Sequence, residues 1–166
     1  IVELSASRNA AENYAVLFNE ARLTGLQKDA DYVYIVGNGT VWSEIHSFST
    51  KRNGTDTNFF VMGDTQLEDK VLLDHLAQAI RQDGVSYDFG IQTGDFVDNT
   101  NSYSMWSEIM GAFSEYFGNT DMIQVLGNHE FYGDNDGSIA STFHMLPDTD
   151  WYSVMYGNTY VAVVNY

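Results

Sequence analysis

The sequence has 166 residues, of which 44% are hydrophobic and 14% aromatic, so the chain can build a packed core and is not expected to be disordered. The 7 Lys and Arg residues against 23 Asp and Glu residues give a net charge of -16, which repels phosphate backbones and argues against nucleic-acid binding. Cysteine is absent, which excludes disulfides and thiol catalysis, and no apolar run has the length of a membrane helix.

Residues 1–52 are predicted to form part of a fibronectin-like β-sandwich that lacks its first strands. A run of alternating residues is followed by the turn signal Gly37-Asn38-Gly39 and then by Val41 and Trp42, which indicates strand, tight turn, strand. Leu26, followed six residues later by Tyr32, is similar to the tyrosine corner of fibronectin-type sandwiches. The alternative is an extra β-hairpin layer on the next domain. The predicted strands of this part are residues 14–18, 32–36, 41–42 and 45–49.

Residues 53–166 are predicted to form a second domain of the α/β class, which begins within the polar linker 51–58. Thr65 and Glu68 form a capping box ahead of a helical apolar pattern that Gly84 stops. Strands alternate with helices, which predicts a parallel sheet with crossover connections. The predicted strands are residues 59–62, 87–93, 122–126 and 160–166, and the second helix is residues 104–116.

Polar motifs follow three of these strands directly: Gly63-Asp64-Thr65-Gln66, Gly94-Asp95-Phe96-Val97-Asp98 and Gly127-Asn128-His129-Glu130. In an open parallel sheet the carboxyl ends of the strands form the ligand crevice, so we expect these motifs to meet. Carboxylate, amide and imidazole groups together suit divalent cations. The sequence therefore predicts a metal site at one edge of the sheet.

The individual residues of the motifs suggest different roles. Asp64 is either a metal ligand or the N-terminal cap of the following helix. Asp95 has two carboxylate oxygens and can bridge two cations. Asn128 is either a ligand through its amide oxygen or a turn residue. His129 lies next to it and can donate a proton to a leaving oxygen.

The three motifs resemble the first three motifs of the calcineurin-like metallophosphoesterases, and residues 24–50 resemble the end of the fibronectin-like domain in purple acid phosphatases. The resemblance implies the first βαβαβ half of a metallophosphoesterase α/β sandwich. It implies that Asp64 binds the first metal, Asp95 bridges both and Asn128 binds the second, while His129 lies over the substrate phosphate. The expected cofactors are two divalent ions, Mn, Fe, Zn or similar, and the expected reaction is attack of a metal-bound hydroxide on phosphorus.

Two positions depart from the family pattern. Purple acid phosphatases carry Tyr where this chain has Asp98, so we expect a colourless enzyme whose first metal need not be ferric iron. Asp98 is expected to orient and acidify His129, as in the calcineurin branch, and the alternative is a solvated turn residue. Many relatives carry His where this chain has Gln66, which is either a weak ligand of the first metal or an ordinary residue of the first helical turn.

The family's later metal-binding motifs, a single His and a Gly-His-x-His, are not found in this sequence. The other histidines, His46, His75 and His144, are expected to be structural or surface residues, although His144 could approach the site from the loop after the third motif. We therefore expect this chain to supply only part of a dinuclear centre. The remaining ligands would come from the C-terminal half of the catalytic domain, either in the same precursor or in a second chain.

The predicted function is that of a metal-dependent phosphoesterase acting on phosphate esters, with negligible activity expected of this chain alone. The alternative is a binding protein of the same fold with a degenerate centre. Neither nucleic acid nor membrane is an expected partner. The acidic, cysteine-free and tyrosine-rich composition predicts a secreted or cell-surface location.

Overall fold

The structure is a computed structural model that describes residues 7–10, 17–50, 56–66, 70–133 and 151–164. Strands and helices alternate in its central part, and strands alone are described on either side of that part. In chain order the elements are β1 Ser7–Ala10, β2 Leu17–Glu20, β3 Asp31–Tyr34, β4 His46–Ser49, β5 Phe59–Met62, α1 Lys70–Gln82, β6 Phe89–Gln92, α2 Tyr103–Phe117, β7 Asp121–Gln124, a 3-10 turn His129–Phe131, β8 Tyr152–Tyr156 and β9 Thr159–Val163.

The N-terminal part contains two antiparallel strand pairs, β1 with β2 and β3 with β4. The Tyr32 hydroxyl accepts a hydrogen bond of 2.7 Å from the Gln27 backbone N–H, which is the contact that defines a tyrosine corner. Ring stacking between Tyr32 and Phe48, with centroids 5.3 Å apart, joins β3 to β4. The fibronectin-like assignment stays a prediction, because two separate strand pairs do not establish a sandwich.

The strand predicted at Val41 and Trp42, after the turn at Gly37, is reduced to a single bridge. The partner of β3 is β4, whereas Gly37 and Trp42 form only an isolated bridge. The Asn38 side-chain oxygen accepts hydrogen bonds from the backbone N–H groups of Thr40 and Val41, at 3.0 and 2.9 Å. This local closure satisfies the turn internally, so the ladder resumes only beyond residue 45.

The central part contains a parallel sheet of strand order β5-β6-β7, as predicted. The bounds of β5 agree with the prediction, while β6 and β7 are shorter than expected. The register pairs Met62 with Gln92 and Gln92 with Gln124, so all three strands end at the same level. Their carboxyl ends therefore share one edge of the sheet.

Both helices pack on one face of this sheet and form its main core. In α1 the buried residues are Leu73 and Ala77, and in α2 the fully buried Trp106 donates from its indole N–H to the Thr100 carbonyl at 3.0 Å. Ser102 caps α2 by accepting from the Met105 N–H. The core residues are Phe60, Met62, Leu73, Ala77, Phe96, Val97, Trp106, Ile109, Ala112, Phe113 and Phe117.

The opposite face of the sheet is covered in part by the antiparallel pair β8 and β9. Phe89 and Ile123 from the sheet pack there against Val163 of β9. The Tyr152 hydroxyl accepts from the Gln124 N–H at 3.0 Å and donates to the Gln124 carbonyl at 2.6 Å, which ties β8 to β7. The predicted terminal strand is thus one half of a hairpin.

Some predictions fall on residues that the structure does not describe. Glu68 of the predicted capping box and His144 lie outside the described ranges, and so does most of the linker 51–58. Neither of the two described helices combines the length and the apolar character that a membrane-spanning segment needs.

The close packing of β6 against its neighbours can be tested at Gly90. A Cβ atom there would lie 2.4 Å from the Phe60 ring and 2.7 Å from the Met122 sulfur. We expect Gly90→Ala to lower the free energy of unfolding by about 1–3 kcal/mol through overpacking. Gly111 in α2 has open space at the same position, so Gly111→Ala should raise stability by about 0.5–1 kcal/mol. Urea unfolding of both variants would measure the difference, and equal effects would contradict the packing argument.

Candidate metal centre

The loops that follow β5 and β6 are joined by backbone hydrogen bonds. The Asp64 N–H donates to the Gly94 carbonyl at 3.2 Å, and the Gln66 N–H donates to the Asp95 carbonyl at 3.1 Å. Gly63 packs so closely on Thr93 that a Cβ atom would lie 2.2 Å from its hydroxyl oxygen. The first and second motifs therefore meet, as the parallel sheet predicts.

The loop that follows β7 is held against the second loop in the same way. The Asp95 Oδ1 atom accepts a hydrogen bond from the His129 N–H at 3.0 Å. Gly94 has a positive φ of 107°, and a Cβ atom there would lie 2.4 Å from the Gly127 nitrogen. The two backbones can approach this closely only because both positions are glycine. All three motifs thus lie at one edge of the sheet, with Asp95 between the other two.

Asp64 and Asp95 both adopt the left-handed backbone conformation, with φ values of 51° and 55°. This conformation is uncommon for residues other than glycine, although Asp and Asn tolerate it better than most. Each Asp follows a glycine at a strand end, so the chain turns sharply there. Unusual backbone geometry of this kind is concentrated at functional sites in proteins.

Glu130 has no role assigned by the sequence analysis, yet it connects the second and third motifs. Its side chain is fully buried and accepts hydrogen bonds from the backbone N–H groups of Asp95 at 2.8 Å, Phe96 at 2.7 Å and Gly127 at 2.6 Å. These three bonds satisfy the polar atoms of the buried carboxyl group, which would otherwise be costly to bury. The sequence does offer one signal for this role. Glu130 comes directly after Asn128-His129 at the end of a buried strand, where an acidic side chain needs hydrogen-bond donors.

Gln66 provides the observation that bears on a bound cation. Its Oε1 atom is buried and has no hydrogen-bond partner, and leaving an amide oxygen unpaired costs free energy that a metal ion would offset. Gln124 Oε1 is in the same state without being in a motif, so burial alone does not define a ligand. Gln66 differs because its backbone is bonded to Asp95. It lies ahead of the described start of α1 rather than in a helical turn.

The other candidate ligands are more exposed. Asp64 precedes the described start of α1 at Lys70, and its backbone bonds to Gly94. Asn128 has helical backbone angles at the start of the 3-10 turn, and its Nδ2 donates to the Tyr132 hydroxyl at 3.2 Å, which leaves Oδ1 for another partner. Among the described residues no three His, Asp or Glu side chains form a metal-binding cluster.

The His129 ring is oriented by Asp98. Its Nδ1 lies 3.0 Å from the Asp98 carbonyl oxygen and 3.3 Å from the carboxylate oxygen Oδ1. A carbonyl oxygen can only accept, so Nδ1 carries a hydrogen and Nε2 is the nitrogen that gains and loses a proton. The Tyr132 ring also packs on the His129 imidazole, with ring centroids 4.5 Å apart.

The pKa of His129 is shifted in the opposite direction from the expected one. The hydrogen bond to the Asp98 carbonyl raises this pKa above its usual value, partial burial lowers it, and the negative charges of Asp95, Asp98 and Glu130 raise it further. The expectation that Asp98 acidifies His129 is therefore wrong. Both polar groups of Asp98 favour the protonated imidazole, so His129 is a proton donor that keeps its proton to higher pH.

The remaining histidines with described positions lie outside the motifs. His46 is on β4 and stacks on Tyr34 with centroids 5.2 Å apart, and His75 is exposed on α1. These placements agree with the predicted structural and surface roles.

Comparison with known proteins shows a family for this chain and solved structures with a similar fold. Residues 57–164 match the family model of the calcineurin-like phosphoesterases, and this match begins within the predicted linker. The fold is similar to that of a purple acid phosphatase isolated from yellow lupin (Lupinus luteus) seeds, with a TM-score of 0.77 and 17% sequence identity. The match covers 97% of this chain and 37% of the lupin chain. None of the curated proteins matches the sequence.

The role of Glu130 can be tested with Glu130→Gln. An amide has one acceptor oxygen, so its NH₂ group must face at least one of the three N–H donors, and the buried charge is lost. We expect the free energy of unfolding to fall by about 1–3 kcal/mol and the affinity for Mn²⁺ to fall with it. Glu108→Gln, on the exposed side of α2, is the matched control and should change stability by less than about 0.5 kcal/mol. Equal stability of the two variants would show that Glu130 does not hold the loops.

The titration of His129 can be tested with Asp98→Asn. This change removes the carboxylate charge but keeps the backbone carbonyl, so the pKa of His129 should fall only part of the way toward its ordinary value near 6.5. Because the folded-state pKa is raised, protonated His129 stabilises the fold below the unfolded-state pKa, and this contribution is lost as pH rises through the folded-state pKa. Imidazole NMR titration of the metal-free protein would measure both variants. A pKa unchanged in Asp98→Asn would contradict the carboxylate contribution.

Proposed function

Because the chain belongs to the calcineurin-like phosphoesterase family, we propose that the protein hydrolyses phosphate esters at a centre of two divalent ions, Mn, Fe, Zn or similar. The supporting observation is the position of Asp95 between the other two motifs. Its carbonyl accepts from the Gln66 N–H, and its carboxylate accepts from the His129 N–H. Polar groups from three strand ends are thereby held at one edge of the sheet, where ligands bind in open α/β folds.

Four residues of this chain would hold the ions. Asp64 and Gln66 are the proposed ligands of the first metal, Asn128 of the second, and Asp95 of both. The unpaired, buried Gln66 oxygen fits this assignment, and the Asn128 Nδ2 bond to Tyr132 leaves its Oδ1 for a metal. When bound, the two ions supply an activated water and neutralise charge that develops on the phosphoryl group.

His129 is the proposed catalytic acid. Asp98 holds its Nδ1–H, so the proton on Nε2 is the one available to the oxygen of the leaving alcohol. The raised pKa keeps this proton in place at neutral pH more often than in an ordinary histidine. Asp98 acts through His129, by fixing the ring and favouring its charged form.

The remaining ligands of the centre are proposed to come from the rest of a larger catalytic domain. The chain spans 37% of the lupin protein to which its fold is similar. The partner would be the C-terminal half of the domain, in the same precursor or as a second chain. We propose negligible activity for residues 1–166 by themselves on this ground.

A second candidate function is that of a binding protein with a degenerate centre. Gln66 favours it, because an amide is a weaker ligand than the imidazole found there in many relatives. The set Asp64, Asp95, Asn128 and His129 opposes it, since a binding protein does not need a positioned proton donor. A secreted or cell-surface location rests on composition alone and stays a prediction.

The proposed function can be tested with Asp95→Asn in the full-length protein supplied with Mn²⁺. Asn keeps the shape and tolerates positive φ, but it offers one acceptor oxygen in place of two and so cannot bridge two ions. We expect kcat/KM for p-nitrophenyl phosphate to fall at least about a hundredfold. Asp29→Asn is the control, because Asp29 also has a positive φ of 54° but lies in the N-terminal part. Hydrolysis that survives in Asp95→Asn would favour another site, and no hydrolysis by the unmodified protein would favour the binding protein.

A further inference from the structure

Tyr132 contacts two of the proposed functional groups and has no role in the reaction as described so far. Its hydroxyl accepts from the Asn128 Nδ2 at 3.2 Å. Its ring packs on the His129 imidazole, with centroids 4.5 Å apart and an angle of 51° between the planes. The side chain thus lies beside a proposed metal ligand and beside the proposed acid.

The backbone of Tyr132 is fixed on both sides. Its N–H donates to the His129 carbonyl at 3.0 Å, and its carbonyl accepts from the Thr100 N–H at 3.1 Å and the Thr100 hydroxyl at 2.7 Å. Thr100 is fully buried in the loop that follows Asp98. The backbone that carries the ring is therefore held by the same loops that carry Asp98 and His129, and the side chain itself contacts Asn128 and His129.

Although the backbone of Tyr132 is hydrogen-bonded through both its N–H and its carbonyl, the residue is 49% exposed. A single exposed aromatic residue needs no explanation in itself. Tyr103 at the start of α2 has a similar exposure of 46% and lies outside the motifs. Tyr132 differs because its exposed ring adjoins the group that must meet the leaving alcohol. A side chain that already makes such contacts loses less conformational freedom when a ligand binds.

The position of the leaving alcohol follows from the role of His129. An acid that protonates the leaving oxygen must lie within about 2.6–3.2 Å of it. The Nδ1 side of the imidazole is occupied by Asp98, so the leaving oxygen must approach Nε2. The imidazole thus presents Nε2 to the leaving alcohol while the Tyr132 ring lies beside it, with ring centroids 4.5 Å apart, so the alcohol would bind next to Tyr132.

We propose that Tyr132 forms the wall of a leaving-group subsite that favours phosphate esters of planar aromatic alcohols. The proposal rests on the proposed function, because it takes His129 as the acid. Offset or edge-to-face contact between two aromatic rings adds to the effect of burial alone, and its usual size corresponds to a preference of about fivefold. The Tyr132 hydroxyl is engaged with Asn128, so the ring rather than the hydroxyl is the part that meets the substrate.

The test compares benzyl phosphate with cyclohexylmethyl phosphate in the full-length protein with Mn²⁺. The two leaving alcohols have similar size and acidity, so the ratio of their kcat/KM values isolates the contribution of the aromatic ring. We expect a ratio of about five in the unmodified protein and in Tyr132→Phe, and a ratio near one in Tyr132→Leu. Tyr103→Leu is the matched control and should keep the ratio. A ratio near one in the unmodified protein overturns the proposal even if Tyr132→Leu does not fold.

A second measurement separates failure of the subsite from failure of the proposed function. Benzylphosphonate and cyclohexylmethylphosphonate are not hydrolysed at these bonds, so their Kd values can be compared by calorimetry without turnover. A preference for the benzyl compound that Tyr132→Leu removes, combined with no hydrolysis of any ester, supports the subsite and refutes the esterase activity. Hydrolysis of both esters with no preference in rate or in Kd refutes the subsite and leaves the activity standing.

Discussion

The buried Glu130 carboxylate is the interaction on which the arrangement of the second and third motif loops depends. It accepts N–H groups from Asp95 and Phe96 in one loop and from Gly127 in the other, at distances of 2.6–2.8 Å. Burying a charge is costly unless hydrogen bonds compensate for it, so the two loops must stay in register to satisfy it. The polar groups at the rim, Asp95, Asn128 and His129, are therefore set by backbone positions that Glu130 fixes. The register of the sheet brings the strand ends to one edge, and the hydrogen bonds of Glu130 fix the distance between the second and third motifs.

The electrostatics of the rim favour positive charge. Asp95, Asp98 and Glu130 all raise the pKa of His129, and the whole chain carries a net charge of -16. The dianion of a phosphate ester would be repelled by such a surface unless cations were bound at the rim. The amide oxygens of Gln66 and Asn128 add ligands without adding negative charge. Two divalent ions held by two carboxylates and these two neutral amides would therefore keep a net positive charge that attracts the phosphate ester.

Much of the central fold could be predicted from the sequence, because the apolar runs and the helical patterns are local signals. The bounds of β5 agree with the prediction, those of α2 differ from it by one residue at each end, and the motifs after Met62 and after Gln92 do lie together. The role of Glu130 and the raised pKa of His129 could not be predicted, since both depend on backbone groups from distant loops. The strand expected at Val41 and Trp42 is reduced to one bridge because Asn38 closes its turn through its own side chain, and the alternation of the sequence gives no sign of that bond.

The left-handed geometry at Asp64 and Asp95 restricts which residues could ever replace them. Glycine, asparagine and aspartate tolerate that region of the backbone map, whereas most other side chains are strained there. A lineage that abandoned the chemistry would accordingly drift toward asparagine or glycine at these two turns while keeping the scaffold intact. Asparagine differs from aspartate at these turns by one atom, an amide nitrogen in place of an oxygen, so a metal ligand can be weakened there without straining the backbone.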